Sequence, residues 1–593
     1  MKTNLIKALV FLLLTAAAHP SFSQETSFQW WNPVEGNQSY IEGQAWPAEV
    51  EAPYDRLPLR AKDKVRGAVW NLSKHAAGLM VRFRTNAEQI KVRYGVTGNF
   101  EMNHMPATGV SGVDLYAKDG EGAWHWLLGR RHFGDTCVYN FAGIDAREKY
   151  HKLGRDYQLY LPLYNGVKWL EIGVPEGATI EAIPVRQEKP IVVYGTSIAQ
   201  GACASRPGMA WTGILQRNMD RPLINLGFSG NGRLEDELID LISEIDAKVY
   251  VIDCLPNLTP TEDRTVEEVE RRIKKSVKTL KQRRPGTPIL LVEHSGYSDG
   301  TLNSSRYSVY TRLNEVMKKS FTDMRNEGID DLFLITKEEL NLGMEDYVDG
   351  THPTDLGMMA HAKACENAVR QILSQPVGTI STTIPVTQRR EPGLYEWEAR
   401  HQAILERNKT NPPKVCFIGN SITHYWAGMP EAPIARGEKS WKKYLTPLET
   451  GNFGFGWDRI ENVLWRTYHD ELDGYEADHV MMMLGTNNFG LNSNEEIITG
   501  LSAVIDAVRA KQPGATIHML GIYPRRSQEK RVVSVNIMMQ QLAALKNVQF
   551  ADPGKVLLKE DGTLDESLFT DGLHPNKEGY ELLAPIIAGQ LEK

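Results

Sequence analysis

The residues best suited to chemistry are few and widely spaced. Ser197 stands directly after an apolar run in VVYGTSIAQG, and Asp349 precedes His352 by three residues in DYVDGTHPTDLG. A serine hydroxyl becomes a nucleophile when a base takes its proton, and an imidazole base needs an acceptor to fix its tautomer and stabilise the imidazolium. A D-x-x-H loop supplies base and acceptor from one short segment. Attack on an ester carbonyl also needs donors for the oxyanion that forms. Between the serine and the histidine, NLGFSGNG offers Gly230, where a backbone N–H can come close to a ligand, and VIDCLPN offers the Asn257 amide just beyond a strand. Each residue alone has a plain reading: the serine as a helix cap, the histidine as a surface or capping group, the loops as ordinary connections. Their combination is much less easily explained by packing and fits a serine nucleophile served by a nearby base.

These residues need a scaffold that brings distant segments together. After Pro190 the apolar runs PIVVYG, PLINLGFS, AKVYVIDC, PILLVEH and DLFLIT alternate with longer amphipathic stretches. That texture predicts a parallel sheet covered on both faces, with ligands at the carboxyl ends of its strands. Before it, LMVRFRT, QIKVRYGV, VDLYAKD and VKWLEIGV alternate with period two between turn residues, which predicts an antiparallel β-sandwich. This stretch holds Trp30, Trp31, Trp46, Trp70, Trp124 and Trp126, read mainly as sandwich-core packing. The segment QPVGTISTTIPVTQRRE reads as a linker and LYEWEARHQAILERNK as a helix, after which KVCFIG, HVMMMLG, TIHMLGIY and VQFAD resume the α/β alternation. The same ordered features thus occur twice, a sign of duplication or fusion of related folds. The expected organisation is a signal peptide at 1–23, a β-sandwich at 24–188, α/β domains at 189–375 and 411–593, and a linker with helix at 376–410.

The blocks GTSI, Gly230, Asn257 and Asp349/His352 resemble those of SGNH (GDSL-type) hydrolases, with Thr196 departing from the usual GDS. The resemblance implies a flavodoxin-like α/β/α fold, acyl transfer through an acyl-serine with Ser197 as nucleophile, His352 as base and Asp349 as its partner, and an oxyanion hole formed by the Ser197 and Gly230 N–H groups and the Asn257 amide. Upstream, SGVDLY resembles the GxDLY segment that marks a β-module ahead of some bacterial SGNH esterases. The second α/β stretch, with KVCFIGNSITHYW, NFGFGWDRIENVLWR, MMMLGTNNFG and TDGLHPNKEGY, resembles the platelet-activating-factor acetylhydrolase-like branch. There the resemblance implies Ser421 as nucleophile, Asn487 as oxyanion amide, and Asp571 with His574 as the final pair. Trp457 falls where the oxyanion glycine belongs, with Gly456 one position earlier. Its backbone N–H remains available, but its bulk is expected to crowd the pocket or reorient the loop.

Composition narrows the field. The charged start and the apolar run ALVFLLLTAAA read as a secretory signal peptide too short to span a bilayer, which places the mature chain in the periplasm or outside the cell. A net charge of −7 argues against a nucleic-acid partner, and no integral membrane contact is expected. Five scattered cysteines, Cys137, Cys203, Cys254, Cys365 and Cys416, fit buried free thiols rather than disulfides or a zinc site. With no GxSxG elbow, HExxH helix, P-loop or EF-hand loop, no metal or organic cofactor is implied. His294 is read as a substrate contact or a structural residue, and His424, Arg525 and Arg526 as packing or solvated groups with a rim role as the alternative. The expected substrate is a small acyl ester, above all O-acetyl groups on carbohydrates, with xylan or pectin acetyl, feruloyl and O-acetyl sialic acid esters as candidates. The rivals are a lipase or lysophospholipase, and a glycan-binding protein with one or both hydrolase domains inert.

Overall fold

The computed structural model describes residues 27–36, 39–145 and 151–591, so the expected signal peptide lies outside the described residues. The first unit is two packed antiparallel sheets. One has the strand order Phe28–Trp31, Val167–Pro175, Gln89–Val96, Cys137–Ala142 and Arg130–His132. The other runs Ile180–Ala182, Met80–Thr85, Arg155–Tyr160, Asp114–Lys118 and Trp124–Leu127, with Ile41–Glu42 beside Met80–Thr85. Alternate residues such as Ile90, Val92 and Tyr94 point inward, as a half-buried strand requires, and meet Val81, Phe83, Leu115 and Leu159 from the facing sheet.

Two α/β units follow, each around a five-stranded parallel sheet. In the first the spatial order is Leu223–Gly227, Ile191–Gly195, Val249–Asp253, Ile289–Val292 and Leu332–Ile335. In the second it is Thr450–Gly454, Val415–Gly419, His479–Met483, Thr516–Leu520 and Gln549–Ala551. Both follow the flavodoxin-like order 2-1-3-4-5. Residues of each central strand bury into one of two helix layers in alternation: Val192 and Tyr194 on one face of the first sheet, Ile191 and Val193 on the other. Burial on both faces is why these strands read as unbroken apolar runs. In this topology the chain reverses its winding beside the first strand, and that switch point is where ligand crevices open. Ser197 and Ser421 each follow that strand by two residues.

Two departures from the sequence reading matter for function. Trp46 and Trp70 do not pack in the sandwich; they join the core of the first α/β unit beside Leu226, Phe228 and Leu234. The stretch read as a linker is packed, with Thr382, Gln388 and Arg390 buried, and the helix Trp397–Thr410 puts Trp397 and Ile404 into the second unit's core. Among the described residues no helix is long and apolar enough to cross a membrane.

Candidate active sites

Both serines open a short helix at a strand end. Thr196 caps the first, accepting the Ile198 N–H at 3.3 Å, and Asn420 caps the second, accepting the Ile422 N–H at 2.9 Å. The tight strand-to-helix turn packs on the neighbouring strand's end, where an added Cβ at Gly227 would lie 2.3 Å from Gln200 N and one at Gly454 2.2 Å from His424 N. Only glycine permits that approach.

Ser197 Oγ lies 2.9 Å from His352 Nε2, and His352 Nδ1 lies 2.7 Å from Asp349 Oδ2. The other carboxylate oxygen accepts the Thr351 and His352 amides at 3.0 and 2.8 Å, so the D-x-x-H loop folds around its own aspartate. Burial pushes the Asp349 carboxyl up, but the amide and imidazole of His352 outweigh it and hold the group below the usual carboxylate range. The second site repeats this: Ser421 Oγ is 2.8 Å from His574 Nε2, His574 Nδ1 is 2.6 Å from Asp571 Oδ2, and the Leu573 and His574 amides donate to Asp571 Oδ1 at 3.0 and 2.8 Å. Asp571 is held low in the same way, against its burial. In each relay an ionised carboxylate orients the imidazole whose second nitrogen faces the serine hydroxyl, the arrangement that serves nucleophilic attack on an acyl group.

Matches to known proteins agree with this geometry. Family models described as GDSL-like lipase/acylhydrolase match residues 188–370 and 417–582, and the model of the N-terminus of SGNH hydrolase-type esterases (GxDLY) matches 28–180. The chain is 30% identical over 195 residues to platelet-activating factor acetylhydrolase IB subunit alpha1 of Bos taurus, covering 32% of this chain and 79% of that protein. It belongs to the GDSL-like lipase/acylhydrolase family. The alpha2 subunit of Gallus gallus is 28% identical over 193 residues, covering 32% of this chain and 80% of that one. A crystal structure of a Bacteroides ovatus ATCC 8483 protein assigned as a GDSL-like lipase superposes with TM-score 0.53 and 31% identity, covering 59% of this chain and 98% of that one. The protein is a carboxylic ester hydrolase.

The loops that carry Gly230 and Trp457 are built alike. Gly230 and Trp457 each stand three residues beyond the glycine that ends the neighbouring strand, and both are left-handed, with φ of 68° and 62°. Trp457 therefore keeps the loop conformation that its bulk was expected to disturb, and its side chain turns outward, 48% exposed. In the first loop the Gly232 N–H donates to Asn257 Oδ1 at 3.1 Å, a bond that uses neither of the amide's own N–H donors. In the second, Asn487 spends one N–H on the Asp458 carbonyl at 2.9 Å and keeps the other.

Beneath these loops lie Gln200, Arg56 and Arg400, which sequence reading did not assign, and His424, which it read as a packing or solvated group. Gln200 and His424, each three residues past its serine, receive the loop N–H of Ser229 at 3.0 Å and of Gly456 at 3.0 Å. His424 is buried, not on the rim; burial first, then the Arg400 and Arg466 charges, push its imidazole far below its ordinary range, so Nδ1 stays a neutral acceptor. Arg56 of the β-module donates to the Asn225 and Gly227 carbonyls at 3.0 and 2.9 Å, and to those of His75 and Leu72 at 2.8 and 2.7 Å. Arg400, from the helix Trp397–Thr410, makes the matching bonds in the second unit, to the Asn452 and Gly454 carbonyls at 3.1 and 2.8 Å. These guanidiniums lie over the matching rings Phe228 and Phe455 at 5.1 and 5.3 Å. Burial lowers Arg56 to about 9 and Arg400 to about 10. One device, a buried arginine gripping the strand that leads into the Gly230 or Trp457 loop, thus comes from the β-module in one half and from the packed connector in the other.

The GxDLY aspartate is also structural. Asp114 accepts the Gly208 N–H at 3.0 Å and bonds Arg206 and the Trp126 indole, fastening the β-module to the loop that follows Ser197. Glu121, in a turn of the same module, bonds Arg390 and Arg459 of the second half at 2.8 and 2.7 Å, while Arg390 donates to the Trp457 carbonyl at 3.0 Å. His294 is buried, its Nδ1 accepting the Gly296 N–H at 2.9 Å, and burial lowers it to about 3, which makes it a turn residue. Arg525 donates to the Thr486 carbonyl at 3.0 Å beside Asn487, and Arg526 pairs with Glu566 at 2.6 Å.

Proposed function

We propose that the acylhydrolase removes small acyl groups, above all acetyl, from carbohydrates, with Ser197 and Ser421 as two nucleophiles. His352 and His574 take the serine protons, Asp349 and Asp571 orient them, and the Gly230 and Trp457 loops with Asn257 and Asn487 receive the oxyanions. The observation that carries this reading is the pair of serine–imidazole–carboxylate relays, each within hydrogen-bonding distance throughout. The cycle balances: the serine oxygen bonds the acyl carbon as its proton passes to histidine, histidine returns that proton to the leaving alcohol, and water, activated in the same way, releases the acid.

Acetyl selectivity draws support from relatives named acetylhydrolases. A glycan substrate and export rest on the aromatic-bearing β-module, with Trp126 45% exposed, and on the signal-peptide-like start. Module limits near residues 188, 375 and 410 are part of the same reading. The relatives' name, platelet-activating factor, favours a lipid ester as the second reading.

Acetate release from acetylated xylan and pectin, set against a short-chain lipid ester, is measured for the intact chain and for Ser197→Ala, Ser421→Ala and the double variant. Glycan deacetylation that survives either single change and vanishes in the double variant supports two working sites. Hydrolysis confined to the lipid ester, or undiminished in the double variant, overturns the proposal.

A further inference from the structure

Among the described residues, the Ser197 site has a cluster of possible metal ligands with no counterpart at the Ser421 site. His104, on a β-module loop, stands over the relay with its ring centroid 5.7 Å from that of His352. Cys203, six residues past Ser197, is buried in a left-handed backbone conformation with φ of 68°, its Sγ 3.3 Å from the His104 carbonyl. One donor atom each from His104, Cys203, Asp349 and His352 lie within 4.8 Å of one another. Six residues past Ser421 stands Ala427, which has no donor to offer.

Two imidazoles, a thiol and a carboxylate make a mixed nitrogen, sulfur and oxygen set that suits a borderline-soft divalent ion, and four such groups match the tetrahedral preference of zinc. Bond lengths of about 2.0–2.3 Å imply ligand–ligand separations of about 3.3–3.8 Å, so the cluster needs to contract by about an ångström. The exposed His104 is free to supply that movement. We propose that His104, Cys203, Asp349 and His352 form a Zn2+ site that switches off the Ser197 centre and leaves the Ser421 centre working.

Binding replaces the Cys203 S–H bond with a sulfur–zinc bond and releases that proton to solvent. Whichever ring nitrogen of His352 the ion takes, the relay is broken. At Nε2 it consumes the lone pair meant for the serine proton, and at Nδ1 it displaces the bond to Asp349. The module that braces the site from behind through Arg56 thereby also holds its off-switch in front, in His104.

The inhibitory half rests on the role proposed for Ser197, whereas binding is read independently. With Co2+ on the full chain, a thiolate-to-metal charge-transfer band of one equivalent is expected, lost in Cys203→Ser. Competition with a chelating dye should show zinc affinity weakened at least about tenfold in Cys203→Ser and in His104→Ala. Zinc should inhibit ester hydrolysis by Ser421→Ala, which leaves the Ser197 centre, and spare Ser197→Ala; His104→Ala in the Ser421→Ala background should raise the inhibitory concentration at least about tenfold. A missing thiolate band, affinity unchanged by both ligand substitutions, or equal inhibition of the two centres overturns the proposal. If Ser421→Ala has no esterase activity while the cobalt band is intact, the catalytic reading of Ser197 falls and the metal site stands.

Discussion

Replacing Arg56 with methionine removes a guanidinium that serves four backbone carbonyls and leaves the length of its apolar stem. Two of those acceptors, Asn225 O and Gly227 O, are bonded in fully buried surroundings and lie on the strand that leads to Gly230. A buried acceptor left without its donor costs about 1–3 kcal/mol, so Arg56→Met should cost about 2–6 kcal/mol of stability. The kinetic effect is separate. One oxyanion donor is worth about 10²–10³-fold in kcat, and a loop displaced by a fraction of an ångström forfeits part of that, so kcat per folded molecule should fall about tenfold or more while KM changes little. The assay is steady-state hydrolysis of p-nitrophenyl acetate in the Ser421→Ala background, normalised to folded protein by near-ultraviolet circular dichroism. Arg56→Lys keeps the charge but cannot span all four carbonyls, and should fall between. Arg400→Met in the Ser197→Ala background should repeat the result. A variant that loses stability but keeps its kcat per folded molecule refutes the claim that these arginines set the oxyanion loop.

Trp457→Gly should relieve about 1–2 kcal/mol of left-handed strain and, because the side chain turns outward, leave the acyl chain lengths accepted by the Ser421 centre unchanged, read from rates on acetyl to octanoyl esters. A changed range, or a lower thermal midpoint, counts against the loop equivalence of Gly230 and Trp457. Asp253 is buried with Oδ2 3.6 Å from His361 Nε2; burial raises the carboxyl to about 7 and lowers the imidazole to about 3. Because the native carboxyl binds its proton more tightly than the unfolded one, its contribution to stability falls as pH rises from about 4 to about 7. His361 acts in the opposite sense, losing stability as pH drops below its ordinary range. Asp253→Asn should therefore stabilise the first α/β unit at pH ~8 by at most about 4 kcal/mol, seen as a higher melting temperature, with the gain shrinking towards pH ~4. A gain that does not vary with pH contradicts that burial effect.

Legibility from sequence followed locality. Asp349 and His352 share one turn and Ser197 follows a strand end, so sequence grammar alone suggested that they meet, and the structure places them within 2.9 Å of one another along the relay. The order of the parallel sheets was implied by the family resemblance. Arg56, Arg400 and His104 were illegible because each comes from a different element and its partners are carbonyls or distant side chains that leave no spacing pattern. His104 and Cys203 are 99 residues apart along the chain, far outside any metal-ligand spacing motif. Trp46 and Trp70 were read with the sandwich because sequence proximity was the only guide, yet their burial against Leu226 and Phe228 ties the module to the first α/β unit.

The most direct measurement of the central claim is covalent trapping. Intact protein treated with a fluorophosphonate and digested should show adducts on Ser197 and on Ser421, the first lost in His352→Ala and the second in His574→Ala. Labelling of neither serine, or labelling that persists at both when their histidines are removed, contradicts the account.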